Sequence, residues 1–143
     1  MATDRTANVV WQGDLLNGSG TIENVTSGAV GPLDVTWASR SEEPNGRTSP
    51  EELIAAAWAS CFSMALSNGL AKAGTPPEKL ETSATVSFQP GEGITRGVLT
   101  VRGTVPGIDA EGFRAAAEDA KKNCPVSKAL AGIPDVTLEA QLA

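Results

Sequence analysis

Fourteen consecutive residues, Leu53 to Leu66, carry no charge and read Leu-Ile-Ala-Ala-Ala-Trp-Ala-Ser-Cys-Phe-Ser-Met-Ala-Leu. This stretch is apolar nearly all the way round a helical wheel, so a helix built from it is expected to be buried on most sides. Its Ala and Ser content lets another backbone come close. The boundaries are well marked: Ser49 is placed to cap, Pro50 takes the first helical position, and Glu52 can complete a capping box. Gly74 followed by Thr75-Pro76-Pro77 stops the helix near Ala73. The rest of the chain must wrap this central helix.

Before it, Val9-Val10-Trp11-Gln12, Thr21-Ile22-Glu23-Asn24-Val25 and Leu33-Asp34-Val35-Thr36-Trp37 read as strands, with Asn17-Gly18 as a hairpin turn. After it, Ala84, Val86 and Phe88 alternate with Ser83, Thr85 and Ser87, and Leu99, Val101 and Val105 alternate with Thr100, Arg102 and Thr104. Asp109 caps a helix carrying Phe113, Ala116, Ala117 and Ala120, and Pro125 opens a shorter helix. Val136, Leu138, Ala140 and Leu142 form a last alternating strand. The order βββ-α-ββ-αα-β predicts an α+β fold, an antiparallel sheet covered by the apolar helix, in a single domain over residues 1–143.

The net charge of −6 and a pI near 4.6 argue against nucleic acid as a partner. No run approaches the ~20 apolar residues of a membrane span, and the first residues lack the apolar core of a signal peptide, so a cytoplasmic protein is expected. The chain has no histidine. That removes Cys-His and Ser-His-Asp hydrolases and His-ligated zinc, and two cysteines do not make a thiolate metal site. No metal and no cofactor are expected. Cysteine chemistry that needs no imidazole remains.

Cys61 sits inside the apolar helix, where it is expected to be buried, and Cys124 stands before Pro125 at a helix start, placed to reach it. Burial raises a thiol pKa, so Cys61 needs a cation to be reactive. Arg40 and Arg47 precede the helix, and Glu51 in its first turn can orient a guanidinium bidentately. Against this stands the plainer reading that Cys61 fills the core, Glu51 serves the helix dipole and the arginines are solvated. Glu51 and Cys61 are ten positions apart, roughly 15 Å along a helix and roughly 80° around it. If Glu51 serves Cys61, a second chain related by a two-fold axis is the expected donor. A structural disulfide would add about 4 kcal/mol, but a cytosolic setting weighs against it.

Four segments carry a resemblance to a known family: Thr48-Ser49-Pro50-Glu51-Glu52-Leu53-Ile54-Ala55-Ala56-Ala57, Ala59-Ser60-Cys61-Phe62-Ser63-Met64-Ala65-Leu66-Ser67, Val105-Pro106-Gly107-Ile108-Asp109 and Cys124-Pro125-Val126-Ser127-Lys128-Ala129-Leu130. With Trp11-Gln12-Gly13-Asp14-Leu15 and the segment around Arg40, the chain resembles the OsmC/Ohr family of thiol peroxidases nearly end to end, on its osmotically inducible OsmC branch. The resemblance implies an intertwined homodimer with sheets wrapped around two central helices and sites at the subunit interface. It implies Cys61 as the peroxidatic thiol, Cys124 as the resolving thiol, and Arg40 with Glu51 as the activating pair; Arg47 does not match. One departure is Trp58, where the family motif usually reads Ala-Ala-His-Ala.

The expected activity is reduction of organic hydroperoxides through a Cys61 sulfenic acid and a Cys61–Cys124 disulfide. The resemblance implies a dithiol reductant such as a lipoylated protein. Phe62, Met64 and Trp58 surround Cys61 in sequence and are the candidate substrate contacts. The competing readings are a non-catalytic binding or structural dimer and a redox sensor without turnover.

Overall fold

The computed structural model spans residues 1–143 and divides into two compact units, Met1–Leu53 and Ile54–Ala143. The first holds a three-stranded sheet of β1 (Ala7–Gln12), β2 (Ser19–Val25) and β3 (Leu33–Val35), paired antiparallel in that order. A short helix, α1 (Trp37–Ser41), follows. Sequence reading ran the third strand on to Trp37. Instead Thr36 closes a capping box: its side chain accepts from the Ser39 N–H at 3.0 Å, and its own N–H donates to Ser39 Oγ at 2.9 Å. Two donors satisfied locally favour helix over strand here.

The expected Asn17-Gly18 hairpin turn is also different. Residues 13–18 form a longer loop, in which Asp14 accepts from the Asn17 N–H at 2.8 Å and the left-handed residue is Gly13. An aspartate bonding its own backbone a few residues on has set the turn.

The long helix α2 (Pro50–Lys72) begins as expected, with the Glu52 N–H donating to Ser49 Oγ. The capping box is not reciprocal, because the Glu52 carboxylate accepts from the Thr48 hydroxyl instead. By length and composition this helix could cross a membrane, contrary to the expectation that no run was long enough. Its role is set by packing: Trp58, Phe62, Leu66 and Leu70, one stripe at four-residue spacing, are buried in the core of the second unit. Ala56, Ala57, Ser60 and Met64 are exposed. Within one chain the helix is therefore covered along one stripe rather than on most sides.

The second unit's sheet has the order β4 (Lys79–Gln89), β5 (Gly93–Thr104), β6 (Asp135–Leu142). β4 and β5 are antiparallel, but β5 and β6 are parallel, so the sheet is mixed and not antiparallel throughout. The reason is topological: α3 (Ala110–Asn123) and α4 (Pro125–Ala129) form the crossover that a parallel return requires. Registers place Ala84, Leu99 and Leu138 in one cross-strand row and Thr82, Val101 and Ala140 in another. Two glycines on β5 make room for large rings. A methyl group on Gly97 would lie 2.7 Å from the Trp58 ring, and one on Gly103 would lie 2.5 Å from that of Phe113. Asp109 caps α3 by accepting from the Gly112 N–H at 2.7 Å, which turns Phe113, Ala117 and Ala120 into the core.

Candidate active site

In the first unit, α1 carries Arg40 and the start of α2 carries Glu51, eleven positions later. The two meet in a bidentate pair: Nε donates to Oε1 and Nη2 to Oε2, each at 2.9 Å. Glu51 is nearly buried, its side chain only 7% exposed against 32% for Arg40. A fork-to-fork contact with a buried carboxylate fixes the plane of the guanidinium as well as its place. Ser39, one residue earlier, anchors this corner by donating to the Thr48 carbonyl at 2.9 Å. Arg47 is exposed.

In the second unit the two sulfurs lie 3.0 Å apart, 63 positions separated in sequence. Both cysteines are free thiols, well beyond the ~2.05 Å of a disulfide bond but in direct contact. The exposure of Cys61 differs from the expectation that it is buried. Cys124 is fully buried, whereas Cys61, on the flank of the Trp58–Phe62 stripe, is partly exposed. The helix that looked uniformly apolar has a free flank within one chain, and Cys61 lies toward it.

The thiols share protons unequally. Burial pushes the Cys61 thiol above its ordinary value, and its hydrogen bond with Cys124 pushes it further, against the Val126 N–H. Burial would also raise Cys124, but the Cys61 thiol, the Ser127 N–H and hydroxyl and the Val126 N–H together draw it below the ordinary range. The pair thus forms one thiolate early and the second late. Within this chain the favoured thiolate is Cys124, while the sulfur that a solute can touch is Cys61.

The three candidate substrate contacts go to different places. Phe62 is fully buried in the core, Trp58 is buried with its indole N–H donating to Ser127 Oγ at 2.8 Å, and Met64 is 71% exposed on another face of α2. Sequence reading missed Thr36 and Ser39, whose Thr-x-x-Ser spacing was the available signal. It also missed Ser127, which nothing in the sequence connects to Trp58.

The family model described as OsmC-like protein matches residues 43–139. The chain is 42% identical over 135 residues to the peroxiredoxin OsmC of Escherichia coli, covering 92% of each protein. It is 36% identical over 123 residues to the organic hydroperoxide resistance protein OhrA of Bacillus subtilis, covering 80% of this chain and 84% of that one. Among solved structures, the organic hydroperoxide resistance protein OsmC of Legionella pneumophila has the same fold, with a TM-score of 0.66, 24% identity and 96% of both chains covered. By the family match and the extent of the Escherichia coli similarity, this chain belongs to the OsmC family.

Proposed function

We propose that the protein is a thiol-dependent peroxidase that reduces organic hydroperoxides to alcohols. The observation that carries this reading is the pair of free thiols in contact, one partly exposed and one buried. A peroxide must reach a sulfur before it can be reduced, so access selects Cys61 even though Cys124 ionises more readily. The Cys61 thiolate attacks the outer peroxide oxygen, the O–O bond breaks, the alkoxide takes a proton and leaves as the alcohol, and Cys61 becomes a sulfenic acid. Cys124 then displaces hydroxide to close the disulfide. An external dithiol restores both thiols by exchange.

Because Cys61 is held above the ordinary thiol range within one chain, it needs a cation. Arg40, oriented by Glu51, is the group proposed to supply it, in a homodimer whose second chain completes each site. Apolar side chains left uncovered in the monomer support the dimer: Leu16 is 76% exposed, Met64 71% and Val9 56%. Met64, with the exposed flank of α2, is the proposed apolar contact for substrate. The enzyme is proposed to act in the cytoplasm, with a small dithiol or a lipoylated protein as reductant. The names of the relatives, a peroxiredoxin and a hydroperoxide resistance protein, point the same way.

The test is turnover of cumene hydroperoxide with dithiothreitol or dihydrolipoamide. Alcohol should form in proportion to dithiol consumed, and Cys61→Ser should abolish it. Equal consumption by Cys61→Ser would overturn the assignment. Slow loss of thiols without alcohol would favour a non-catalytic dimer, and rapid disulfide formation that no dithiol reverses would favour a sensor.

A further inference from the structure

We propose that Trp58 is a positioning residue for the resolving sulfur: its indole N–H holds the Ser127 hydroxyl so that the hydroxyl proton is directed at Cys124. The inference rests on the peroxidase reading for its kinetic consequence, but not for its structural one.

Trp58 and Ser127 are 69 positions apart and joined by a 2.8 Å hydrogen bond. An indole N–H can only donate, so Ser127 Oγ is the acceptor and its own proton is left to point elsewhere. Ser127 is the third residue of α4, and Cys124 is the residue before that helix. Cys124 is thus the N-cap of α4 and Ser127 occupies the position whose side chain reaches back toward the cap; in keeping with that placement, Ser127 and Val126 draw the Cys124 thiol below its ordinary range. The indole is 1% exposed and cannot turn to other partners. Gly97 secures it, since any side chain there would strike the ring at 2.7 Å. The Trp58 ring, the gap at Gly97 and the Ser127 acceptor form one matched seat. It directs a hydrogen-bond donor at the sulfur that must attack.

In that attack the Cys124 thiolate bonds to the Cys61 sulfur, the Cys61 S–O bond breaks, and hydroxide leaves to be protonated to water. A donor aimed at Cys124 raises the share of thiolate available. The other titratable group at the Cys124 sulfur is Cys61; Glu118, Asp119, Lys121, Lys122 and Lys128 line the groove that Trp58 and Ser127 share.

Two measurements test this. In a Cys61→Ala background, where a single sulfur titrates, ultraviolet thiolate absorbance should show the Cys124 midpoint moving upward in Trp58→Phe and in Ser127→Ala. It should return toward the parent value in Trp58→His and Ser127→Thr, which restore a donor and a hydroxyl. In the two-cysteine protein, dimedone should trap more Cys61 sulfenic acid per hydroperoxide in Trp58→Phe and Ser127→Ala, as disulfide closure slows roughly 2- to 10-fold, the worth of one hydrogen bond. Unchanged midpoints in both Trp58→Phe and Ser127→Ala would overturn the inference. So would a shift in Trp58→Phe that Trp58→His fails to reverse while Ser127→Ala has none, because that pattern reports ring packing alone. If the unsubstituted protein forms neither sulfenic acid nor disulfide, the peroxidase reading fails, and the titration still decides the role of Trp58.

Discussion

The Arg40–Glu51 corner and the Cys61–Cys124 contact are assembled by opposite means. The first joins residues eleven positions apart and is held by caps and turns: the Thr36–Ser39 box, the Ser39 bond to Thr48 and the start of α2. The second joins residues 63 positions apart and exists only because α2, α3 and β5 share a core around Trp58, Phe62, Phe113 and Leu99. A local corner can be tuned by one hydrogen bond at small cost to stability. A contact made by the core is lost when the core loosens. The ion pair and the thiol contact therefore answer to different parts of the sequence.

The largest expected effect separates the two sulfurs from everything else. Cys61→Ala should reduce hydroperoxide turnover by at least on the order of 1,000-fold, to background, because nothing replaces the proposed nucleophile; steady-state alcohol production reads it directly. Next comes the core. Phe113→Ala removes the ring seated over Gly103 and should cost about 3–5 kcal/mol in denaturant unfolding, with a matching loss of disulfide formation at intermediate denaturant. A smaller effect belongs to the corner: Glu51→Ala should lower the rate of Cys61 oxidation by roughly 100-fold through a misplaced guanidinium, with little effect on disulfide exchange in the oxidised protein. If Glu51→Ala instead disturbed the thiol contact as much as Phe113→Ala does, the distinction between local and core assembly would fail. Thr36→Ala should cost only about 1 kcal/mol, the value of a cap, read as a change in unfolding midpoint.

These effects follow the same line that divided what sequence reading reached from what it did not. Period-two alternation marked the inward faces of β4, β5 and β6, and Ser49, Pro50 and Asp109 marked helix starts, because each signal is local. Parallel pairing of β6 was missed because alternation does not encode strand direction. Cys61, expected to be buried, is partly exposed for a related reason. A helix apolar on every side does not announce which stripe its own chain will cover, and Gly97 and Gly103, the residues that receive Trp58 and Phe113, look like ordinary strand glycines. Cys61, Cys124, Arg40 and Glu51 could be singled out by residue type and resemblance. The resemblance also implied their pairing, Arg40 with Glu51 and Cys61 with Cys124; the bidentate geometry and the 3.0 Å sulfur contact are not legible in any local pattern.

The smallest effect is a pH dependence of stability carried by the thiol pair. Cys124 is held below the ordinary thiol range of about 8.5, so its contribution is present above that value and lost as pH falls through its lowered pKa. Cys61 is held above it, so its contribution is present below that value and lost as pH rises through its raised pKa. The reduced protein should therefore show a shallow stability maximum near the ordinary thiol range, relative to a variant with both cysteines replaced by alanine. Thermal unfolding of the two across that range checks it.

The two thiols differ in opposite senses, Cys124 being the readier to ionise and Cys61 the readier to be reached. The most direct test is mass spectrometry of Cys61→Ser and Cys124→Ser after one equivalent of cumene hydroperoxide, with dimedone present. Access governing the chemistry predicts rapid sulfenic acid on Cys61 in Cys124→Ser and an unmodified Cys124 in Cys61→Ser. Oxidation of Cys124 in Cys61→Ser at the rate seen for Cys61 would contradict it.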